Sequence, residues 1–128
     1  MMETPICDFV RGYCARDALR LHMPGHKGRA LLGMEALDIT EFDGADELYR
    51  AEGIIRQSEE NAARLFGATR TLYSAEGSSL CIRAMLYLAR LHAGENGLRP
   101  VVAAGRNAHK VFLTAAALTG LDVDWLYP

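Results

Sequence analysis

Apolar residues at helical spacing predict two helices in the first half of the chain. The first opens at Thr4 and Pro5, a pair that suits an N-cap and a first turn, and it places four apolar residues on one face: Ile6, Phe9, Val10 and Tyr13. The second covers residues 54–66 and ends at Gly67, which suits the position after a helix. Between them, the prolines and glycines of residues 21–29 exclude a regular helix and indicate a polar loop.

The second half of the chain alternates between short strands and helices. Strands are predicted at residues 71–74, 101–104 and 122–127, and the last helix at residues 109–118. The helix that opens at residue 77 has an apolar face made of Cys81, Ala84, Met85, Leu88 and Leu91. Two consecutive right-handed βαβ crossovers are the simplest arrangement of these elements. The predicted fold class is therefore α/β with a mostly parallel sheet.

Composition limits the possible functions without choosing one. The chain has 128 residues, 50% of them hydrophobic and 23% charged, which is typical of one globular domain or a part of one. Its formal net charge of −2 gives no reason to expect nucleic acid or an anionic membrane as a partner. Three cysteines without CxxC spacing, no leader sequence and no long apolar run predict a soluble cytoplasmic protein. Cys7 and Cys14 are expected to pack on the first helix rather than to react.

The first candidate site is the turn over residues 74–79, which leads from a predicted strand into a helix. Free backbone N–H groups and the positive end of the helix dipole at such a turn attract a phosphate, and Ser78 and Ser79 could add hydrogen bonds. The alternative is that one of these serines only caps the helix. The segment is neither a Walker P-loop nor a dinucleotide-binding fingerprint.

A second candidate, residues 105–110, leaves the next predicted strand at the same edge of the sheet. His109 could therefore reach a ligand held by Ser78 and Ser79, although a histidine near a helix start is more often a surface or capping residue. The third candidate is the loop that carries His26 and Lys27. Its turns exclude a helical zinc pair, so we expect it to hold carboxylates, to form an interface or to be a solvated loop.

Taken in order, four segments resemble the start of the ornithine/lysine/arginine decarboxylase family: residues 21–29, 38–48, 76–79 and 106–110. The resemblance covers nearly the whole chain, and its most specific part is the Pro-Gly-His-Lys loop. It implies the N-terminal portion of a PLP-dependent transferase-like major domain, a partial three-layer α/β/α arrangement. Residues 1–50 would then form an N-terminal helix and an active-site or interface loop, and residues 51–128 the beginning of the PLP-binding major domain.

The resemblance also implies roles for individual residues. Gly77, Ser78 and Ser79 match the family's cradle for the phosphate of pyridoxal 5′-phosphate (PLP), and His109 matches the histidine that stacks on its pyridine ring. His26 and Lys27 match a segment near an active site built at a homodimer interface. The implied reaction is decarboxylation of lysine, ornithine or arginine to a diamine or agmatine, with the cofactor as electron sink.

Three departures from the family pattern bear on these expectations. The family's Schiff-base lysine and the carboxylate on the ring nitrogen are expected beyond residue 128, so the 128-residue chain alone should be inactive. Glu76 stands where the family often has asparagine, and Val111 where a serine is common. Other readings are an aminotransferase or another PLP-dependent lyase of the same fold, and a non-catalytic phosphate-binding or dimerisation module.

Overall fold

The structure is a computed structural model that describes residues 3–16 and 18–127 and divides into two compact units. The N-terminal unit extends to Tyr73, and the C-terminal unit begins at Ser74. The sequence predicts a different division of the chain, into an N-terminal segment of residues 1–50 and the beginning of the major domain at residues 51–128. That division stays a prediction.

The N-terminal unit contains two α-helices, α1 (Pro5–Cys14) and α2 (Ile54–Phe66), and two short 3-10 helices, His26–Gly28 and Glu35–Leu37. The predicted apolar face of α1 is confirmed, because all four of its residues are half-buried. Phe42 packs against this face, with its ring centroid 4.8 Å from Tyr13 and 6.1 Å from Phe9. Gly67 ends α2 in the left-handed conformation with φ of 63°, as its position in the sequence predicts.

Asp46 fixes the start of α2 from outside the helix. One of its carboxylate oxygens accepts hydrogen bonds from the backbone N–H groups of Gly53 and Ile55, at 2.8 and 2.9 Å. The other accepts from the N–H groups of Glu47 and Glu52, at 2.8 and 3.1 Å. Burial raises the pKa of this carboxyl group, but the four hydrogen bonds outweigh burial and lower the pKa to about 2. The side chain thus supplies the acceptors that the first turn of α2 lacks.

The C-terminal unit is a parallel βαβ unit preceded by a long helix. Its elements are α3 (Gly77–Glu95), β1 (Val101–Gly105), α4 (Lys110–Thr119) and β2 (Asp122–Leu126). The strands pair in parallel, with Val101 opposite Asp122 and Gly105 opposite Leu126. Both helices contribute to one core, whose buried members are Leu86, Phe112, Ala115, Ala116 and Leu121. The α/β class and the parallel sheet are therefore confirmed.

The strand predicted at residues 71–74 is wrong, and the described residues form a two-stranded sheet with a single crossover. Residues 71–74 have no strand partner, and Tyr73 instead contacts side chains of α2. Its backbone N–H donates to the Glu59 carboxylate at 2.7 Å, and its hydroxyl shares a hydrogen bond of 2.8 Å with Ser58. The Glu59 carboxylate thus satisfies a backbone N–H that a neighbouring strand would otherwise engage.

The predicted buried face of α3 is also wrong. Met85 and Leu88 are 57% and 64% exposed, whereas Leu86 is 2% exposed and lies in the core. Because α3 carries apolar residues around most of its circumference, helical spacing alone did not identify the face that packs against α4. The expectation for Cys7 is likewise wrong, because its side chain is exposed, whereas the half-buried Cys14 thiol donates to the carbonyl oxygen of Ala36 at 2.9 Å.

We expect Asp46→Asn to lower the free energy of unfolding of the N-terminal unit by about 1–3 kcal/mol, because the new NH₂ group would face backbone donors. Asparagine tolerates the left-handed backbone of this position, where φ is 66°, so the variant tests the carboxylate itself. Urea unfolding followed by far-UV circular dichroism measures the change. The matched control is Asp43→Asn, at an exposed aspartate without a hydrogen-bond partner among the described residues.

The parent chain and Asp46→Asn also test how the free energy of unfolding depends on pH. A carboxyl group whose pKa falls from 3.8 to about 2 on folding stabilises the folded state above pH 3.8, and this stabilisation is lost as the pH drops towards 2. The stability gap between the parent chain and Asp46→Asn should therefore narrow over that interval. A gap that stays constant down to pH 2 would contradict this account of Asp46.

Candidate functional site at the carboxyl edge of the sheet

The turn over residues 74–79 enters α3 through a left-handed glycine. Gly77, the first residue of α3, has φ of 62°, a conformation that residues with a Cβ atom rarely adopt. The Ser74 hydroxyl donates to the Gly77 carbonyl oxygen at 3.1 Å and so fixes the turn from its outer side. Gly77 and Ser74 thus determine the backbone path of this turn, which is the predicted phosphate cradle.

The first turn of α3 has no side-chain cap. Its N-cap residue is Glu76, which makes no capping hydrogen bond, and neither serine hydroxyl has a hydrogen-bond partner among the described residues. Ser78 is exposed and Ser79 is half-buried. The alternative in which a serine caps this helix is therefore wrong, and the backbone N–H groups at the start of α3 remain open to an external acceptor.

Glu76 would bring a negative charge close to a bound anion, but its carboxylate turns towards Arg83. The distance from Glu76 Oε2 to Arg83 Nη1 is 3.6 Å. Because Arg83 lies further along α3, the carboxylate lies towards the side of the helix, and the nearby guanidinium offsets part of its charge. The acidic residue is therefore compatible with an anion at the first turn.

His109 is the N-cap of α4. Its Nδ1 accepts a hydrogen bond from the backbone N–H of Val111 at 3.2 Å, so the neutral ring carries its proton on Nε2. This hydrogen bond limits rotation of the ring, while the residue as a whole stays exposed. The capping reading of the sequence is thus confirmed, and the cap leaves the ring faces and Nε2–H available to a ligand.

The turn between β1 and α4 begins at Gly105. A Cβ atom on Gly105 would lie 2.9 Å from the side-chain oxygen of Asn107, and the Ala108 N–H donates to the Gly105 carbonyl oxygen at 3.0 Å. The guanidinium carbon of Arg106, between these residues, lies 4.7 Å from the centroid of the Trp125 ring. No local sequence pattern indicates this contact, because it joins the turn after β1 to a side chain of β2.

The topology places the two candidate turns at the same edge of the sheet. The α4 helix starts directly after the carboxyl end of β1. Only residues 96–100 join the end of α3 to the start of β1, so the first turn of α3 lies towards the opposite, carboxyl end of that strand. Open α/β sheets bind ligands at this edge. Gly77, Ser78 and Ser79 thus share an edge with His109.

The third candidate loop lies in the other unit. Gly25, His26 and Lys27 all have positive φ values, of 55°, 52° and 52°. His26 Nε2 lies 2.9 Å from a carboxylate oxygen of Asp38, and Lys27 Nζ donates to the Arg20 carbonyl oxygen at 3.4 Å. These contacts attach the loop to its own unit. Its role at an active site or a subunit interface stays a prediction.

His22 does not join His26 in a metal site, because its ring stacks on Phe42 at 5.1 Å and its Nε2 lies 3.2 Å from the Tyr13 hydroxyl. Within residues 3–16 and 18–127, no three His, Cys, Asp or Glu side chains are grouped so that they could hold a metal ion. None of the helices in that part of the chain combines the length and the apolar composition needed to cross a membrane.

A groove of about 860 Å³ runs between α3 and α4, lined by Tyr87, Leu91 and Leu118 among others. It follows the later turns of both helices, whereas the candidate site lies at their first turns. The groove therefore forms no part of this site.

Parallel strands, a crossover helix and an open helix N-terminus define an α/β unit of the kind that holds ligands at the carboxyl edge of its sheet. Residues 4–128 match the family model described as Orn/Lys/Arg decarboxylase, major domain. The chain belongs to the Orn/Lys/Arg decarboxylase family. The family resemblance noted in the sequence is thereby confirmed.

Individual relatives agree with this assignment. The chain is 31% identical to an arginine decarboxylase of Bacillus subtilis (strain 168) and 29% identical to one of Halalkalibacterium halodurans, in each case over 98% of this chain and 26% of the relative. It is also 26% identical to the Bacillus subtilis protein named Uncharacterized protein YaaO, over 99% of this chain and 27% of that protein. The chain thus spans about a quarter of the length of these relatives. No solved structure matches it significantly.

We expect Gly77→Ala to destabilise the C-terminal unit by about 1–2 kcal/mol, since the methyl group forces a residue with φ of 62° out of its preferred backbone region. The matched control is Gly94→Ala in the same helix, where the nearest atom to the added Cβ is Arg90 Nη1 at 3.7 Å, an ordinary contact. The control should be neutral or stabilising because alanine favours helix. Urea unfolding monitored by the fluorescence of Trp125 measures both, and equal effects would contradict the special role of Gly77.

Proposed function

We propose that the chain forms part of a longer enzyme that decarboxylates a basic amino acid with PLP, and that the first turn of α3 holds the cofactor's phosphate. The observation that carries this proposal is the uncapped start of α3 in a member of the decarboxylase family. Backbone N–H groups lie there beside two serine hydroxyls that have no partner among the described residues. Helix N-termini bind phosphate through such groups and through the helix dipole.

Several residues of the candidate site fit this cofactor. The backbone N–H groups of the first turn and the hydroxyls of Ser78 and Ser79 would donate hydrogen bonds to the phosphate oxygens. The φ of Gly77 sets the path of the turn, and the Arg83 pair compensates the charge of Glu76. When bound, PLP withdraws the electrons that the departing CO₂ leaves on the substrate's α-carbon.

His109 would hold the plane of the cofactor ring. Because its Nδ1 is occupied by the Val111 N–H, the imidazole presents its face and its Nε2–H in a restricted range of orientations. A ring fixed in this way orients a stacked partner at a smaller entropic cost than a freely rotating one. His109 is therefore proposed as a cofactor-contacting residue that the capping hydrogen bond keeps in position.

Arginine is the first substrate to test, because the relatives named above carry the name arginine decarboxylase. Lysine and ornithine stay within the proposed class, since both share the charged side chain and the α-carboxylate. The measurement, made on the longer enzyme that contains this chain, is release of CO₂ together with identification of the amine formed. Amino transfer without release of CO₂ would contradict the decarboxylase proposal.

The phosphate cradle can be tested separately from turnover. We expect the absorption spectrum of PLP to change saturably on titration with the chain, and we expect replacement of Ser78 and Ser79 together by alanine to weaken binding about tenfold or more. Pyridoxal, which lacks the phosphate, provides the comparison: its weaker binding should be the same for the parent chain and the double variant. Thr114→Ala is the control, since this hydroxyl donates to the Val111 carbonyl oxygen within α4.

Two results would contradict the cradle. One is a loss of affinity for pyridoxal as large as the loss for PLP, which would show that the serines do not recognise the phosphate. The other is unchanged binding of PLP by the double variant, which would place the phosphate elsewhere.

A further inference from the structure

The Arg106 side chain reaches from one strand end to the other at the carboxyl edge of the sheet. Arg106 follows the last residue of β1, and its guanidinium carbon lies 4.7 Å from the ring centroid of Trp125 in β2 and 6.0 Å from that of Tyr127 just after β2. The side chain is exposed, and the two aromatic contacts favour positions of the guanidinium over these rings.

These contacts engage the guanidinium through its aromatic neighbours, and its N–H groups have no acceptor among the described residues. Another arginine of the chain shows the contrast: Arg20 lies 5.0 Å from the Tyr13 ring, but it also donates to the Ala36 carbonyl oxygen at 2.7 Å. Arg106 donates no hydrogen bond to any described residue and lies in no ion pair with them. Its five donors are thus oriented but unused.

The charges near Arg106 also favour an anion. Lys110 follows within the same turn-and-helix segment, and residues 105–110 contain no acidic side chain. The nearest acidic residue of β2 in sequence, Asp124, alternates with Trp125 and therefore points to the opposite face of the sheet. No carboxylate of these two strands faces the aromatic rings that hold Arg106.

We propose that Arg106, held by Trp125 and Tyr127, binds an oxyanion at the carboxyl edge of the sheet through its paired N–H groups. A planar guanidinium matches the two oxygens of a carboxylate or phosphate with two parallel hydrogen bonds. Two sources offer this chemistry, the phosphate of the cofactor and the α-carboxylate of an amino-acid substrate. The proposal deepens the proposed function and rests on it for the identity of the anion, but the binding itself is measurable with simple ions.

The test uses the fluorescence of Trp125, the single tryptophan of the chain, because this ring contacts Arg106. The full chain is titrated with inorganic phosphate and with acetate, at an ionic strength held constant with chloride. We expect a saturable change with at least one of the two ions. Arg106→Lys should weaken its binding about fivefold or more, because lysine keeps the charge but loses the planar donors.

The matched control is Arg99→Lys, at the other end of the same strand pair, where the guanidinium already donates to Asp122 through Nε at 2.8 Å. This variant should bind the ions like the parent chain. Tyr127→Ala is the second variant: the tyrosine is 72% exposed, so its loss should leave the core intact while removing one of the two rings. Its affinity should fall between those of the parent chain and Arg106→Lys.

Tighter binding of phosphate than of acetate would support the cofactor's phosphate as the anion, and the reverse order would support the substrate's carboxylate. The proposal is overturned if neither ion gives a saturable change, or if Arg106→Lys and Arg99→Lys respond alike. If PLP binding depends on the two serines but no anion response depends on Arg106, the Arg106 proposal is overturned and the phosphate cradle is not. An anion response in a chain that does not bind PLP would support the Arg106 site and would show that cofactor binding needs the rest of the longer enzyme.

Discussion

The parallel pairing of β1 with β2 is the constraint on which the candidate site depends. Two parallel strands cannot be joined by a tight turn, so the chain must cross over between them, and here the crossover is α4, which begins after the carboxyl end of β1. This requirement brings Arg106 and His109 to one edge of the sheet. The β2 strand ends at the same edge and adds Trp125. The chemistry of the site thus follows from strand direction before any individual side chain is considered.

The N-terminal unit depends on a different kind of contact. Its helices are connected by a long irregular segment, and polar side chains fix the path of that segment where regular hydrogen bonding is missing. Asp46 accepts four backbone hydrogen bonds, and the Glu35 carboxylate accepts from the N–H groups of Leu31 and Leu32, both at 2.6 Å. The Leu32 hydrogen bond is the largest cause of a Glu35 pKa lowered to about 2. The carboxylates of Asp46 and Glu35 therefore stabilise the path of this irregular segment.

Local signals in the sequence predicted the helices and their ends well, because Gly67 and Gly120 mark helix ends whatever the rest of the fold does. The residues typical of a helix N-terminus likewise predicted the start of α3 at Gly77. Features that depend on tertiary contacts were missed. The buried face of α3 depends on where α4 packs, and residues 71–74 form no strand without a partner. The Arg106 contact with Trp125 joins the turn after β1 to β2. Asp46 carried a weak signal, an acidic residue shortly before the glycine at the start of α2.

Glu76 shows how the fold accommodates a residue that the family pattern does not favour. A carboxylate near a helix N-terminus interacts favourably with the helix dipole, so Glu76 could compete with a phosphate for the first turn of α3. Its pair with Arg83 joins side chains that are 64% and 46% exposed, and such a pair adds little stability. Its effect is instead positional, because it draws the carboxylate along the helix and leaves the backbone N–H groups to an external anion. A substitution that removed the Arg83 charge would therefore alter anion binding more than folding.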